Sequence, residues 1–239
     1  MTILTLDELV NGTLSLICVI IAIIIGIRIM LKYFQTKQPM FLYVGLTWIG
    51  IFTPWFSSAI AFLTALILMT PINPTIYFII SGSGAVLIVY LWMSAFCFLT
   101  NKKKALIWIV TIETAVIEAI YLIFVFINIS LVGSLQSLVD AKYELIGALL
   151  FINLMLIYIS TATIFAFESI RSYDKTIKLK GIFILAASYM FIISALLDTV
   201  FDLGIIALTI VRILLMVSGI LFYFGFMPPK ILQKLILKE

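Results

Sequence analysis

Apolar runs of about twenty residues or more alternate with short polar links along nearly the whole chain. They fall at residues 14–34, 40–69, 76–99, 105–127, 143–167, 181–201 and 205–226. A helix needs about 20 apolar residues to cross the hydrocarbon core of a bilayer, so the pattern predicts seven spanning helices. The run from Met40 to Met69 exceeds that length, and Pro54 inside it predicts a kink, because proline lacks an N–H and clashes with the preceding turn. The third run carries Ser81-Gly82-Ser83-Gly84, read as small residues that let a neighbouring backbone approach. The first run is preceded by Asp7 and Glu8 instead of a basic region and is too long for the apolar part of a signal peptide, so it reads as a retained span. The sixth and seventh runs meet at Asp202-Leu203-Gly204, which predicts a tight helical hairpin.

Composition agrees: 64% of residues are hydrophobic and 11% charged, with a mean hydropathy of +1.30. Soluble domains sit near 45–50% and about 25%. The fold class read here is an all-α integral membrane protein, a seven-transmembrane helix bundle passing repeatedly through the cell membrane, with membrane lipid as its solvent. The links choose an orientation. One set holds Lys32, Lys37, Lys102 to Lys104, Arg171, Lys175, Lys178, Lys180 and the tail residues Lys230, Lys234 and Lys238. The other holds Asp7, Glu8, Asp140, Lys142, Glu144 and Asp202. Positive links mark the cytoplasmic side, so the N-terminus is expected outside and the C-terminus cytoplasmic. Two glycosylation-type triplets, Asn11-Gly12-Thr13 and Asn128-Ile129-Ser130, fall on the expected outer side. Trp55, Trp92, Trp108, Tyr43 and Tyr143 are placed in interfacial belts, with Trp48 deeper.

The net charge of +4 is dispersed over short links, unlike the clustered basic face of a nucleic-acid binder; no nucleic-acid partner is expected. Histidine is absent, which removes the commonest metal ligand and the usual general base. Cys18 and Cys97 lie inside apolar runs and read as free buried residues. No metal site, cofactor, nucleophile motif or enzymatic activity is expected.

Four ionisable residues fall within the spans: Glu113, Glu118, Asp198 and Arg212. Intramembrane charges pair, and they often mark functional sites. Helical rise puts Asp198 about 9 Å and Arg212 about 12 Å below the turn between the last two spans, depths at which they can meet. Glu118 lies at a similar depth. Glu113 and Glu118 point about 140° apart on their helix and need different partners. Two readings stand. In one, Asp198–Arg212 fastens two helices and Glu113 is neutral and hydrogen-bonded to a hydroxyl. In the other, these residues line an outward-facing pocket or an ion path near the fourth, sixth and seventh spans. A retinal Schiff base is excluded, since that imine needs a mid-span lysine and none is present.

The segments PMFLYVGLTWIGIFTPWFSSAIAF, from Pro39 to Phe62, and YFGFMPPKILQK, from Tyr223 to Lys234, resemble archaeal and bacterial seven-helix sensory modules. These are the membrane parts that precede histidine-kinase or other signalling domains. The matching features are a Trp in the second span after a basic-Pro link and a Gly-Phe-x-Pro-Pro exit from the last span. No kinase-, cyclase- or PAS-like segment follows Glu239, so the resemblance implies a stand-alone module whose output passes to a separate cytoplasmic partner on the basic face. The expected function is a receptor-like sensory protein that takes a small molecule or lipid from outside. The alternatives are a small-solute or proton/cation transporter using Glu113 and Glu118, an enzyme acting on lipid, and a structural or assembly role. Residues 28–37 and 171–180 share a spacing of charges, a faint internal repeat that goes no further.

Overall fold

The computed structural model describes residues 4–201 and 203–229. Asp202 and the tail residues Lys230, Lys234 and Lys238 lie outside the described residues. The chain is an all-α bundle with one small hairpin. Its helices are α1 (Leu6–Thr36), α2 (Met40–Gly50), α3 (Thr53–Leu68), α4 (Pro74–Gly82), α5 (Ala85–Leu99), α6 (Ala105–Ile127), α7 (Leu145–Ile170), α8 (Lys175–Val200) and α9 (Ile205–Phe226). Two short antiparallel strands, β1 (Gly133–Leu135) and β2 (Ala141–Tyr143), sit between α6 and α7 and pair Ser134 with Lys142. Among the described residues, six helical stretches are long and apolar enough to cross a membrane; the bent pair α2–α3 makes a seventh if it counts as one span. Isoleucines and leucines on the outer faces, such as Ile109, Ile123, Leu156 and Ile206, are exposed in every one of these stretches where a lipid solvent would cover them.

The helices pack in chain order around a closed ring. α1 lies on α2 and α3, α3 on α4, α5 on α2 and α6, α7 on α6 and α8, and α9 on α8 and back on α1. Where α1 crosses α2 the two backbones nearly touch: a Cβ on Gly45 would lie 2.5 Å from the Gly26 carbonyl oxygen, and one on Gly26 would lie 2.7 Å from that of Gly45. Small residues permit such crossings in membranes. Gly26→Ala and Gly45→Ala are each expected to lower stability by about 1–3 kcal/mol through this overpacking. The midpoint of SDS-induced unfolding measures it, and midpoints equal to that of the parent would refute the close crossing.

Two of the expected spans are broken. α2 and α3 meet at an angle of 51°. Pro54, in the first turn of α3, accounts for the break, since it cannot donate to the carbonyl four residues back and its ring displaces that carbonyl. The second break, at Ser83-Gly84, falls where packing alone was expected. Gly84 takes φ +89°, a left-handed conformation that glycine adopts without strain. Gly82 does serve packing, because a Cβ there would meet the Tyr121 ring at 2.2 Å.

Several other expectations are corrected. The first helix starts at Leu6, eight residues before the apolar run, because Thr5 and Glu8 form a reciprocal capping box. The basic segment expected as a link is mostly helix: Asp174 caps α8 by accepting from Thr176 and Ile177 N–H groups, so Lys175, Lys178 and Lys180 lie in its first turns. Trp55 and Trp92 are 5% exposed and belong to the core instead of an interfacial belt, while Trp108 is 59% exposed. Their indole N–H groups find partners inside the bundle, Asp198 and Thr161. Trp48 is deep, as expected, and stacks on Phe222 with ring centroids 4.1 Å apart.

One end of the bundle collects Lys32, Lys37, Lys102 to Lys104, Arg171 and the start of α8; there Lys102 pairs with Glu168 at 3.0 Å. The other end collects Asp7, Glu8, Asp140 and Glu144 against Lys142. At this second end Glu8 accepts from the Leu138 N–H at 2.9 Å, tying the start of α1 to the β1–β2 hairpin.

Candidate functional site

Arg212 is the most buried charge described, 2% exposed in the middle of the ring. Its position on α9, one turn beyond Leu208, faces both α1 and α8. Nη2 lies 3.3 Å from Asp198 Oδ1 on α8, an ion pair, and donates to Asn11 Oδ1 on α1 at 3.0 Å. The other carboxylate oxygen of Asp198 accepts from Trp55 Nε1 on α3 at 2.8 Å, and the Trp55 ring lies 5.8 Å from the guanidinium carbon. Ser15 Oγ donates to Asn11 at 3.3 Å. Four helices are thus joined through one ion pair. An opposite charge at close range is what lets a buried charge persist in a low-dielectric setting.

Asn11 corrects an expectation. Its triplet with Gly12 and Thr13 reads as a glycosylation acceptor, yet Asn11 is 6% exposed and faces Arg212. The sequence did hold a sign of this: Asn11, Ser15, Cys18 and Ala22 recur at spacings of four and three, a polar and small stripe on one face of an otherwise apolar helix. Asn128 of the second triplet is exposed.

A pocket of about 90 Å³ opens beside this pair. Its walls come from α2, α3, α4, α5, α7 and α8, with Arg212 from α9 and Asp140, Ala141 and Tyr143 from the hairpin. Their aromatic members include Trp55, Trp92, Phe151, Tyr158 and Phe191. Phe191 packs edge-on to Trp55 at 6.0 Å and to Tyr158 at 5.7 Å. Asp140, Ala141, Asp198 and Thr199 line this pocket and also a wider vestibule of about 710 Å³, so the two cavities adjoin at these residues. The vestibule lies at the acidic end of the bundle and is lined by Asp7, Glu8, Asp140 and Asp198 against Lys142. Such a concave, largely apolar site with a few converging polar groups is the form that small-molecule sites take.

The two glutamates are elsewhere. Glu118, 8% exposed on α6, accepts from the backbone N–H of Gly84 at 2.6 Å and of Val86 at 2.7 Å. It caps the N-terminus of α5 across the helix break, where a carboxylate complements the freed donors and the positive end of the helix dipole. α6 contributes nothing to the pocket walls, so a pocket shared by the fourth, sixth and seventh spans is replaced by one that leaves out the fourth. Glu113 lies on the outer surface of the bundle, accepting from Asn153 Nδ2 on α7 at 3.2 Å and from Thr114 Oγ1 at 3.4 Å. Neither glutamate lines the pocket. The Glu113–Asn153 bond is expected to contribute about 0.6 kcal/mol, and at most about 1.7, as interhelical hydrogen bonds in membranes do. A double-mutant cycle of Glu113→Leu and Asn153→Leu in lipid nanodiscs measures it, and a coupling of zero would show that the pair is not held together.

Among the described residues no group of three or more potential metal ligands is found. Comparison of the chain with protein-family models, with curated proteins and with solved structures finds no match.

Proposed function

We propose that this is a seven-span, receptor-like membrane protein, N-terminus outside and C-terminus cytoplasmic, that takes a small molecule from the outer side into the aromatic pocket beside Asp198 and Arg212. The observation that carries this reading is that pocket and vestibule adjoin at Asp140, Ala141, Asp198 and Thr199. A recess beside a buried ion pair adjoins a vestibule at the acidic end of the bundle. The segregation of charge supports the orientation, because basic ends remain cytoplasmic. The resemblance to sensory modules fits the basic end as the signalling face.

Cysteine accessibility tests this in a background with Cys18 and Cys97 replaced by alanine. Thr199→Cys where the two cavities adjoin and Ile192→Cys on the pocket wall are expected to react with a small thiosulfonate reagent added outside intact cells. Lys103→Cys is expected to react only in inside-out vesicles. A reversed pattern overturns the orientation, and an unreactive Ile192→Cys beside a reactive Thr199→Cys overturns the open pocket.

A further inference from the structure

Ionisable side chains within a membrane almost always face the interior of their bundle and pair there, because hydrocarbon offers them no hydrogen bonds. Glu113 does not follow that rule. It stands about 12 Å into α6 from the basic end, and Asn153 stands about 12 Å into α7 from the acidic end. In a hydrocarbon core about 30 Å thick both lie near the middle. Glu113 is exposed and Asn153 half-buried on the outer surface of the bundle. One N–H of the Asn153 amide reaches Glu113 Oε2 at 3.2 Å, and Thr114 Oγ1 donates to the same oxygen at 3.4 Å. Among the described residues, Glu113 Oε1 and the second N–H of the Asn153 amide have no partner.

The surroundings of this pair form a face. Ile109, Val116 and Ile120 lie within two turns of Glu113 on the same side of α6, and Leu149 and Leu156 flank Asn153 on α7. All five are exposed. Three are β-branched, with little rotamer freedom to lose when another surface packs on them. Of the six described stretches long enough to cross a membrane alone, α6 is the least enclosed: 28% of its most apolar part is buried, against 33–50% for the others. Apolar residues alone would make this an ordinary lipid-facing surface. The unmet acceptor and donor are what call for a protein covering, since hydrocarbon supplies neither.

The same two groups choose the partner. Acceptor and donor stand side by side on one face, so the surface is complementary to itself. A two-fold axis between copies would set each Asn153 against the other copy's Glu113, the reciprocal contact of an isologous interface. We infer that the protein forms a two-fold dimer in the membrane through the outer faces of α6 and α7. The second N–H of Asn153 in each copy donates to Glu113 Oε1 of the other. Each carboxyl group then faces an amide and not its own counterpart, which keeps like charges apart. The dimer is independent of the pocket, because neither Glu113 nor Asn153 lines it.

Association is read by resonance energy transfer between donor-labelled and acceptor-labelled full chains in liposomes, diluted stepwise with lipid. The labels sit on Lys103→Cys in a background with Cys18 and Cys97 replaced by alanine. Glu113→Leu and Asn153→Leu each remove both symmetry-related bonds and are each expected to weaken association about tenfold. Glu113→Gln keeps a carbonyl oxygen for the amide and is expected to stay within about twofold of the parent. Val116→Trp leaves the Glu113–Asn153 bond of its own chain in place but overfills the apolar face. It is expected to weaken association by about tenfold or more with the thermal midpoint unchanged, which separates lost contact between copies from failure to fold. In the same alanine background, mild oxidation of native membranes is expected to join Val116→Cys into a disulfide-linked dimer. Ile213→Cys, exposed on α9, is expected to stay single. The inference is overturned by a chain that remains monomeric at the highest protein-to-lipid ratio. It is equally overturned if Glu113→Leu, Asn153→Leu and Val116→Trp all associate like the parent, or if Ile213→Cys cross-links in place of Val116→Cys. The pocket is judged separately, by the cysteine reactions at Thr199 and Ile192.

Discussion

Arg212→Met is expected to lower the stability of the bundle by about 3–5 kcal/mol, the usual loss when one partner of a buried ion pair is removed and the other is left uncompensated. The geometry says why the loss is so large here. Asp198 would keep only the Trp55 indole N–H, and Asn11 would lose its link from α1 to α9. Asp198→Leu leaves the opposite fault, a guanidinium 2% exposed with Asn11 as its remaining partner. The double variant Asp198→Leu with Arg212→Met removes both charges and is expected to recover most of the loss, since apolar replacements of whole buried pairs are often neutral or better. Unfolding in mixed micelles titrated with SDS reads all three. Additive losses, with no recovery in the double variant, would show that the two side chains act independently.

The second large effect is expected at Glu118. Glu118→Leu leaves the N–H groups of Gly84 and Val86 without their acceptor in the interior, at about 1–3 kcal/mol for each group. Glu118→Gln keeps one oxygen but turns an NH₂ toward the other donor, so it should fall between the parent and the leucine variant. Hydrogen exchange at Gly84 and Val86 gives a local readout: faster exchange confined to the start of α5 is expected in both variants. Unchanged protection in Glu118→Leu would mean that the carboxylate does not cap the break.

These two sites show where a sequence can be read and where it cannot. Hydropathy alone delimits α6 and α9, because lipid sets a minimum apolar length and the flanking polar residues mark both ends. Pro54 announces the α2–α3 break through its own covalent structure. The break at Gly84 has no such local sign, since its stabilising acceptor is 34 residues away on another helix. The meeting of Asp198 with Arg212 follows from depth in a hairpin of short turn, a one-dimensional count. The partner on α1 does not, because Asn11 is 201 residues from Arg212 and which helices neighbour each other is decided by ring closure. Trp55 was misplaced for a related reason: tryptophan prefers interfaces on average, but an indole N–H also satisfies a buried carboxylate, and only three dimensions show that Asp198 is within reach.

The pairing of the two interrupted spans has a mechanical consequence. Their halves associate like with like, α3 with α4 toward the acidic end and α2 with α5 toward the basic end. At the level of the breaks Gly50 abuts Ile88, where an added Cβ would come within 2.5 Å. The upper couple is therefore jointed to the lower at two points on one level, the Glu118 carboxylate holding one joint closed and Trp55 tying α3 to Asp198 on α8.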